Sequence, residues 1–158
     1  MSKRRDRKVQ YAVLPFRPGP TGLEILLITS RETKRWVMPK GWPMKKKKPH
    51  ETAATEALEE AGVEGAVAKD AIGVYRYDKR LKSGKLKPTE VTVFPFRVEV
   101  ERDKWPEMKE RERRWFAPAE AASLVDEPEL KALICAFARV ELQAEALDGN
   151  DGAANPGA

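Results

Sequence analysis

The segment Gly41–Val63, GWPMKKKKPHETAATEALEEAGV, constrains this chain more than any other. It reads as a Gly-Trp-Pro turn, four successive lysines and a short helix. Ala54, Ala57, Leu58 and Ala61 recur at i, i+3, i+4 and i+7, which predicts one apolar stripe on that helix. Pro49 suits the first helical position, and Glu51 stands where the helix dipole favours an anion. Gly62 can end the helix in a left-handed conformation. The polar face carries Glu56, Glu59 and Glu60 at i, i+3 and i, i+4 spacings, which cost roughly 0.2–0.5 kcal/mol per like-charged pair in an isolated helix. No Lys or Arg between His50 and Ala68 relieves that repulsion. A solvated acidic helix after a solvated basic loop would read this way. So would a site in which a divalent cation sits among the carboxylates, since Mg²⁺ takes oxygen ligands and binds through a few carboxylates plus substrate phosphates.

Around this segment strands and helices alternate. Val9–Arg17 alternates as a strand, Arg17-Pro-Gly-Pro-Thr-Gly is a turn, and Leu23–Thr29 is an apolar run expected of a strand buried on both faces. Trp36–Met38 is a short strand before the Pro39-Lys40-Gly41 turn. Ala66–Arg80 is extended, with Tyr75 and Tyr77 on the face opposite Val74 and Arg76. A Leu81–Lys85 hairpin turn leads to a long strand, Lys87–Val100, in which Pro95 argues for an edge position or a bulge. Arg113–Phe116 is a short strand, Pro118–Val125 a small helix, and Pro128 opens a longer helix with a stripe of Leu130, Leu133, Ile134 and Phe137. The order fits an α/β/α sandwich with a mixed sheet between helices.

At 158 residues the chain suits one domain, placed at residues 9–146 between a basic mobile tail, 1–8, and a disordered tail, 147–158. The net charge of +5 permits an anionic partner without identifying one. Cys135 is the only cysteine and sits in an apolar run, which predicts a buried, inert thiol. No segment is long enough for a signal-peptide core or a membrane span, so the expectation is a cytoplasmic protein with no membrane partner. The oligomeric state is left open.

Arg35, Lys40, Lys45, Lys46, Lys47 and Lys48 are close in sequence to the glutamates and are candidates for binding substrate phosphates as point charges. Arg76, Lys79, Arg80, Lys82, Lys85 and Lys87 flank the later hairpin. They either extend an anion site or guard an edge strand.

The segment resembles the Nudix box: Gly, five residues, Glu, seven residues, Arg-Glu, an apolar residue, any residue, Glu-Glu, any residue, Gly and an apolar residue. Gly41, Glu56, Ala57, Glu59, Glu60, Gly62 and Val63 fall in register. Two positions depart: Lys47 stands where the pattern has its first Glu, and Thr55 where it has Arg. The box arginine helps orient a metal-binding glutamate through a salt bridge, which Thr55 cannot do. Pro39-Lys-Gly, the tyrosine-bearing strand, the Trp105 loop and Arg114-Trp-Phe are further similar to diphosphoinositol polyphosphate phosphohydrolases and their bacterial relatives.

The resemblance implies the Nudix α/β/α sandwich and hydrolysis of a phosphoanhydride with Mg²⁺ or Mn²⁺. It implies that Glu56, Glu60 and the Lys40 backbone carbonyl are metal ligands, and that Glu59 is the general base or a further ligand. A carboxylate from outside the box is also expected, with Glu90, Glu107, Glu110 and Glu112 as candidates. The lysine run would suit a highly anionic small-molecule substrate, such as an inositol pyrophosphate or a dinucleoside polyphosphate. Two alternatives stand beside this reading. One is a sensor that binds a nucleotide or polyphosphate without turnover, supported by Lys47 and Thr55. The other is an RNA 5′-end pyrophosphohydrolase, suggested by the basic N-terminus but accompanied by no recognisable RNA-binding motif.

Overall fold

The computed structural model describes the fold of residues 8–154 and the side chains of residues 8–144. The expected basic tail lies almost wholly outside the described residues. Among the described residues the sheet has eight strands: β1 (Lys8–Gly19), β2 (Gly22–Thr29), β3 (Trp36–Val37), β4 (Lys40–Gly41), β5 (Val63–Val67), β6 (Gly73–Arg80), β7 (Leu86–Glu101) and β8 (Arg113–Phe116). The β1–β2 hairpin closes at Gly19 and Gly22. β1 and β7 run parallel at the centre, and the remaining pairings are antiparallel, so the sheet is mixed.

Among the described residues, three helical elements cover it. The first is helix α1 (Pro49–Glu56), continued by a π turn over Ala57–Ala61. Helices α2 (Pro118–Leu124) and α3 (Pro128–Ala154) follow β8. Two cores result, one on each face of the sheet. Ala12, Leu14, Ile25, Leu27, Tyr75 and Val93 pack under α2 and α3, whereas Val13, Leu26, Ile28, Phe94 and Phe96 pack under α1. Consecutive β2 residues point to opposite cores, and this is why LEILLIT is apolar throughout. The α/β/α sandwich is therefore the observed architecture.

Five details differ from the sequence reading. The residues of α1 and its π turn that bury completely are Thr52, Ala53, Ala57 and Ala61, while Ala54 and Leu58 are only half-buried. The buried stripe thus follows i, i+4, i+8. Ala66–Arg80 divides into β5 and β6, which lie end to end along β7. β7 is central, so Pro95 does not mark an edge. The Pro95 carbonyl accepts from the Ala68 N–H at 2.9 Å, and a residue's N–H and C=O point the same way in an extended strand. The donor that proline lacks therefore faces the junction between β5 and β6, where the β7 ladder is interrupted. Cys135 is exposed, because Ile134 turns into the core and the next helical residue is rotated about 100° away. Finally, α3 runs to Ala154, through most of the segment whose composition suggests a disordered tail.

Candidate active site

Helix α1 starts as its sequence dictates. Pro49 is in the first turn, and Glu51 accepts from the Lys48 N–H at 2.8 Å, which holds the Glu51 carboxyl below its usual range. At the other end the π turn carries Glu59 and Glu60, and Gly62 closes it at φ 67°. The final carbonyls of a helix have no partner within it. Here residues 102–113 supply them. The Glu107 N–H donates to the Glu59 carbonyl (3.1 Å), the Trp105 indole to that of Glu60 (3.2 Å), and Arg113 to that of Ala61 (2.9 Å). The Arg113 guanidinium also lies 4.0 Å from the Trp105 ring centroid, a cation at the negative end of the helix dipole.

β4 sets the other wall. Cross-strand partners share a face of a sheet. Gly41 is paired with Tyr11 and faces α1, whereas Lys40 is paired with Ala12 and faces the opposite core. Gly41 is open on the α1 side because the Glu56 side chain lies across it. The Lys40 N–H donates to Glu60 Oε1 at 3.1 Å. Its ammonium reaches through to the other face, 5.4 Å from the Tyr77 ring centroid, and the Tyr77 hydroxyl donates to Gln10 at 2.6 Å. Burial pushes the Lys40 amine down to about 8, against the pull of Glu60.

Four carboxylates gather at this point. Burial, then the charges of Glu60, Glu59 and Glu107, push the Glu56 carboxyl up to about 8, and Glu56 shares a hydrogen bond with Glu59. Glu60 is likewise raised by burial, opposed by Arg111 and Lys40. Arg111 reaches Glu60 Oε2 at 3.4 Å and donates to Glu107 Oε1 at 2.7 Å. Among the expected outside carboxylates, Glu107 is thus the one whose charge acts on both Glu56 and Glu60. Glu110 faces Arg31, Glu112 pairs with Arg114, and Glu90 stands opposite Arg76 on the neighbouring strand. Among the described residues, no three His, Cys, Asp or Glu side chains converge closely enough to hold a metal as they stand. The donor set nonetheless fits a hard cation. It is all oxygen, partly buried, and carries more carboxylate charge than Arg111 and Lys40 offset.

The cationic candidates separate. Lys40 holds Glu60 through its backbone N–H, while its ammonium lies on the other face beside Tyr77. Lys45, Lys46, Lys47 and Lys48 are all exposed on the loop before α1, and the charges of Lys47 and Lys48 act on Glu51. Arg35 is engaged by Asp126 (2.8 Å) and Glu127 (3.6 Å). The Thr55 hydroxyl donates back to the Glu51 carbonyl at 3.0 Å. Arg111 is the neighbour of the site that the sequence reading does not name. Glu107 and Arg111 lie in a loop of mixed charge with no periodicity, so the sequence offers Glu107 only as one of four outside carboxylates.

Residues 6–137 match the model of the NUDIX domain. Similar curated proteins include Nudix hydrolase 12, mitochondrial, of Arabidopsis thaliana, which is 36% identical over 107 residues covering 65% of this chain and 52% of that one. Nudix hydrolase 13, mitochondrial, of the same plant is 33% identical over 125 residues, covering 75% and 61%. The chain therefore spans between half and two thirds of these relatives' lengths. A C. elegans Ap4A hydrolase structure superimposes with a TM-score of 0.60 at 18% identity, covering 84% of this chain and 97% of that one, a likeness of fold. The relatives are diverse and do not single out the diphosphoinositol polyphosphate subgroup. The expected cytoplasmic location is overturned by this comparison, in which the plant relatives are mostly designated mitochondrial or chloroplastic. No described helix is long and apolar enough to cross a membrane. With most of its length matched to the NUDIX domain, and with the sheet, helix and glutamates of the box in place, the chain belongs to the Nudix family.

Proposed function

We propose that this protein is a metal-dependent pyrophosphohydrolase that cleaves a phosphoanhydride bond in a highly anionic substrate of the inositol pyrophosphate or dinucleoside polyphosphate class. The observation that carries the reading is the gathering of Glu56, Glu59, Glu60 and Glu107 at one end of α1, with Glu60 fixed on both oxygens by Lys40 and Arg111. A folded protein that leaves carboxylates in such mutual repulsion gains from a cation between them. The mitochondrial relatives named Nudix hydrolase support hydrolysis as the reaction class.

In this reading Glu56, Glu60 and the Lys40 backbone carbonyl hold Mg²⁺ or Mn²⁺, and Glu107 is the carboxylate supplied from outside the box. A bound divalent cation supplies charge neutralisation at the phosphates and lowers the pKa of water. A water oxygen bonds to one phosphorus while the bond from that phosphorus to the bridging oxygen breaks. Glu59 accepts the proton released by the water, and the leaving phosphate departs with the bridging oxygen. The exposed Lys45–Lys48 run meets the substrate's phosphates. Lys47, in place of an acidic residue, adds to that run a positive charge suited to a polyanion.

A sensor without turnover is the second reading. The feature that favours it is Thr55, whose hydroxyl is turned to the Glu51 carbonyl and carries no charge with which to pair a glutamate. The test is product release from inositol pyrophosphates, dinucleoside polyphosphates, nucleoside triphosphates, nucleotide sugars and 5′-triphosphate RNA. Turnover greatest on the first two classes is the result expected. Preferential turnover of nucleotide sugars, or of triphosphate RNA, would contradict the substrate class.

A further inference from the structure

Arg111 lies outside the box, yet it is the most heavily engaged cation at the carboxylates. Its side chain is 9% exposed and serves three partners. Nε donates to Glu107 Oε1 (2.7 Å), Nη1 donates to the Thr29 carbonyl at the end of β2 (3.1 Å), and Nη2 stands 3.4 Å from Glu60 Oε2. Glu60 Oε1 meanwhile accepts from the Lys40 N–H. One planar group therefore spans two carboxylates from separate segments and ties both to the sheet. A guanidinium imposes direction as well as charge, which an ammonium does not. Within α1 itself nothing does this, since Thr55 is turned to the backbone and no basic residue lies on the helix after His50.

We propose that Arg111 is a positioning residue, which from its loop sets Glu60 and Glu107 side by side for a divalent cation, as a cation at position 55 would do from within the helix. The proposal rests on the metal-dependent reading of the carboxylates. Arg111 touches neither substrate nor reacting atoms, and acts through the two glutamates.

The experiment is calorimetric titration of Mn²⁺ into the full chain and into Arg111→Ala, Arg111→Lys and the double variant Arg111→Ala/Thr55→Arg, with kcat and KM measured alongside. Loss of a partner that orients metal ligands typically weakens metal affinity 10–100-fold. Arg111→Ala is expected to show a loss of that order, with kcat falling and KM changing little. Arg111→Lys keeps the charge, but its three N–H donors sit on one nitrogen and do not span the separated acceptors that Nε, Nη1 and Nη2 reach, so it falls between. Adding Thr55→Arg to Arg111→Ala is expected to recover part of the affinity, which a residue that merely ties the loop to β2 would not allow. Wild-type protein that binds Mn²⁺ while Arg111→Ala binds it equally overturns the role of Arg111 alone. Wild-type protein that binds no Mn²⁺ overturns the metal-dependent reading and the proposal with it. Should Arg111→Ala fail to fold, Arg111→Lys decides, because wild-type affinity and kcat in that variant contradict a positioning role.

Discussion

The carboxylate of Glu56 lies across the α-carbon of Gly41, where an added Cβ would stand 1.4 Å from its Oε2. The atoms in conflict are the far end of a flexible side chain, so a methyl group there displaces Glu56 more readily than it unfolds the protein. Gly41→Ala is therefore expected to keep its secondary structure and nearly all of its stability while losing Mn²⁺ affinity and turnover by tenfold or more, the order seen when metal-ligand support is removed. Circular dichroism and Mn²⁺ titration on the same sample check both halves.

Gly62 predicts the opposite balance. It closes the π turn at φ 67°, and a Cβ there would come within 2.5 Å of the Trp105 ring. A left-handed backbone at a non-glycine residue costs roughly 1–2 kcal/mol, and the indole that caps the Glu60 carbonyl must move as well. Gly62→Ala should shift the urea midpoint downward by at least that order, with tryptophan fluorescence reporting the displaced Trp105. An unchanged midpoint would contradict the capping role given to this loop.

The carboxylates predict a pH dependence. Glu56 has its folded pKa raised to about 8, and that of Glu60 is also raised. Between the ordinary carboxylate range and about pH 8 the folded state binds more protons than the unfolded chain, so stability falls as pH rises through that window. Lys40, lowered to about 8, is protonated in both states below that pH and adds no slope there. In chelator, the wild-type Tm should fall from pH 5 to pH 8, and the fall should be smaller in Glu56→Gln. Addition of Mn²⁺ at pH 8 should restore the wild-type Tm more than that of the variant.

The four loop lysines are exposed, so their effect on a polyanion is long-ranged and screened by salt. Replacing Lys45, Lys46, Lys47 and Lys48 by glutamine should raise KM several-fold at low ionic strength and flatten its dependence on salt. Kinetics at two salt concentrations check this. A lower KM in Lys47→Glu would contradict the phosphate-binding role.

Much of this arrangement is legible in the chain. The small apolar residues, Pro49 and Gly62 mark the helix because capping and periodicity are local. The apolar run of β2 announces burial on two faces, and the hairpins are marked by their turn residues. The π turn has no such mark. It carries Glu59 and Glu60, and its terminal carbonyls take their partners from residues 105, 107 and 113. Pro95 is informative about the missing donor but not about which neighbour the gap faces, because β5 and β6 meet along β7 only in the folded sheet. Arg111 and Glu107 belong to the site through contacts 51 and 47 residues from Glu60, a distance that no local pattern spans.

The most direct test of the central claim is phosphate release from an inositol pyrophosphate and a dinucleoside polyphosphate by wild-type protein and Glu60→Gln, each with Mg²⁺, with Mn²⁺ and with chelator. Glu60 is the carboxylate held by both Lys40 and Arg111, and glutamine keeps its shape while removing its charge. The expected result is turnover that requires the metal and is lost in Glu60→Gln. Absence of turnover on both substrates, together with binding of either that is unchanged by chelator, would contradict it and leave a polyanion-binding protein in its place.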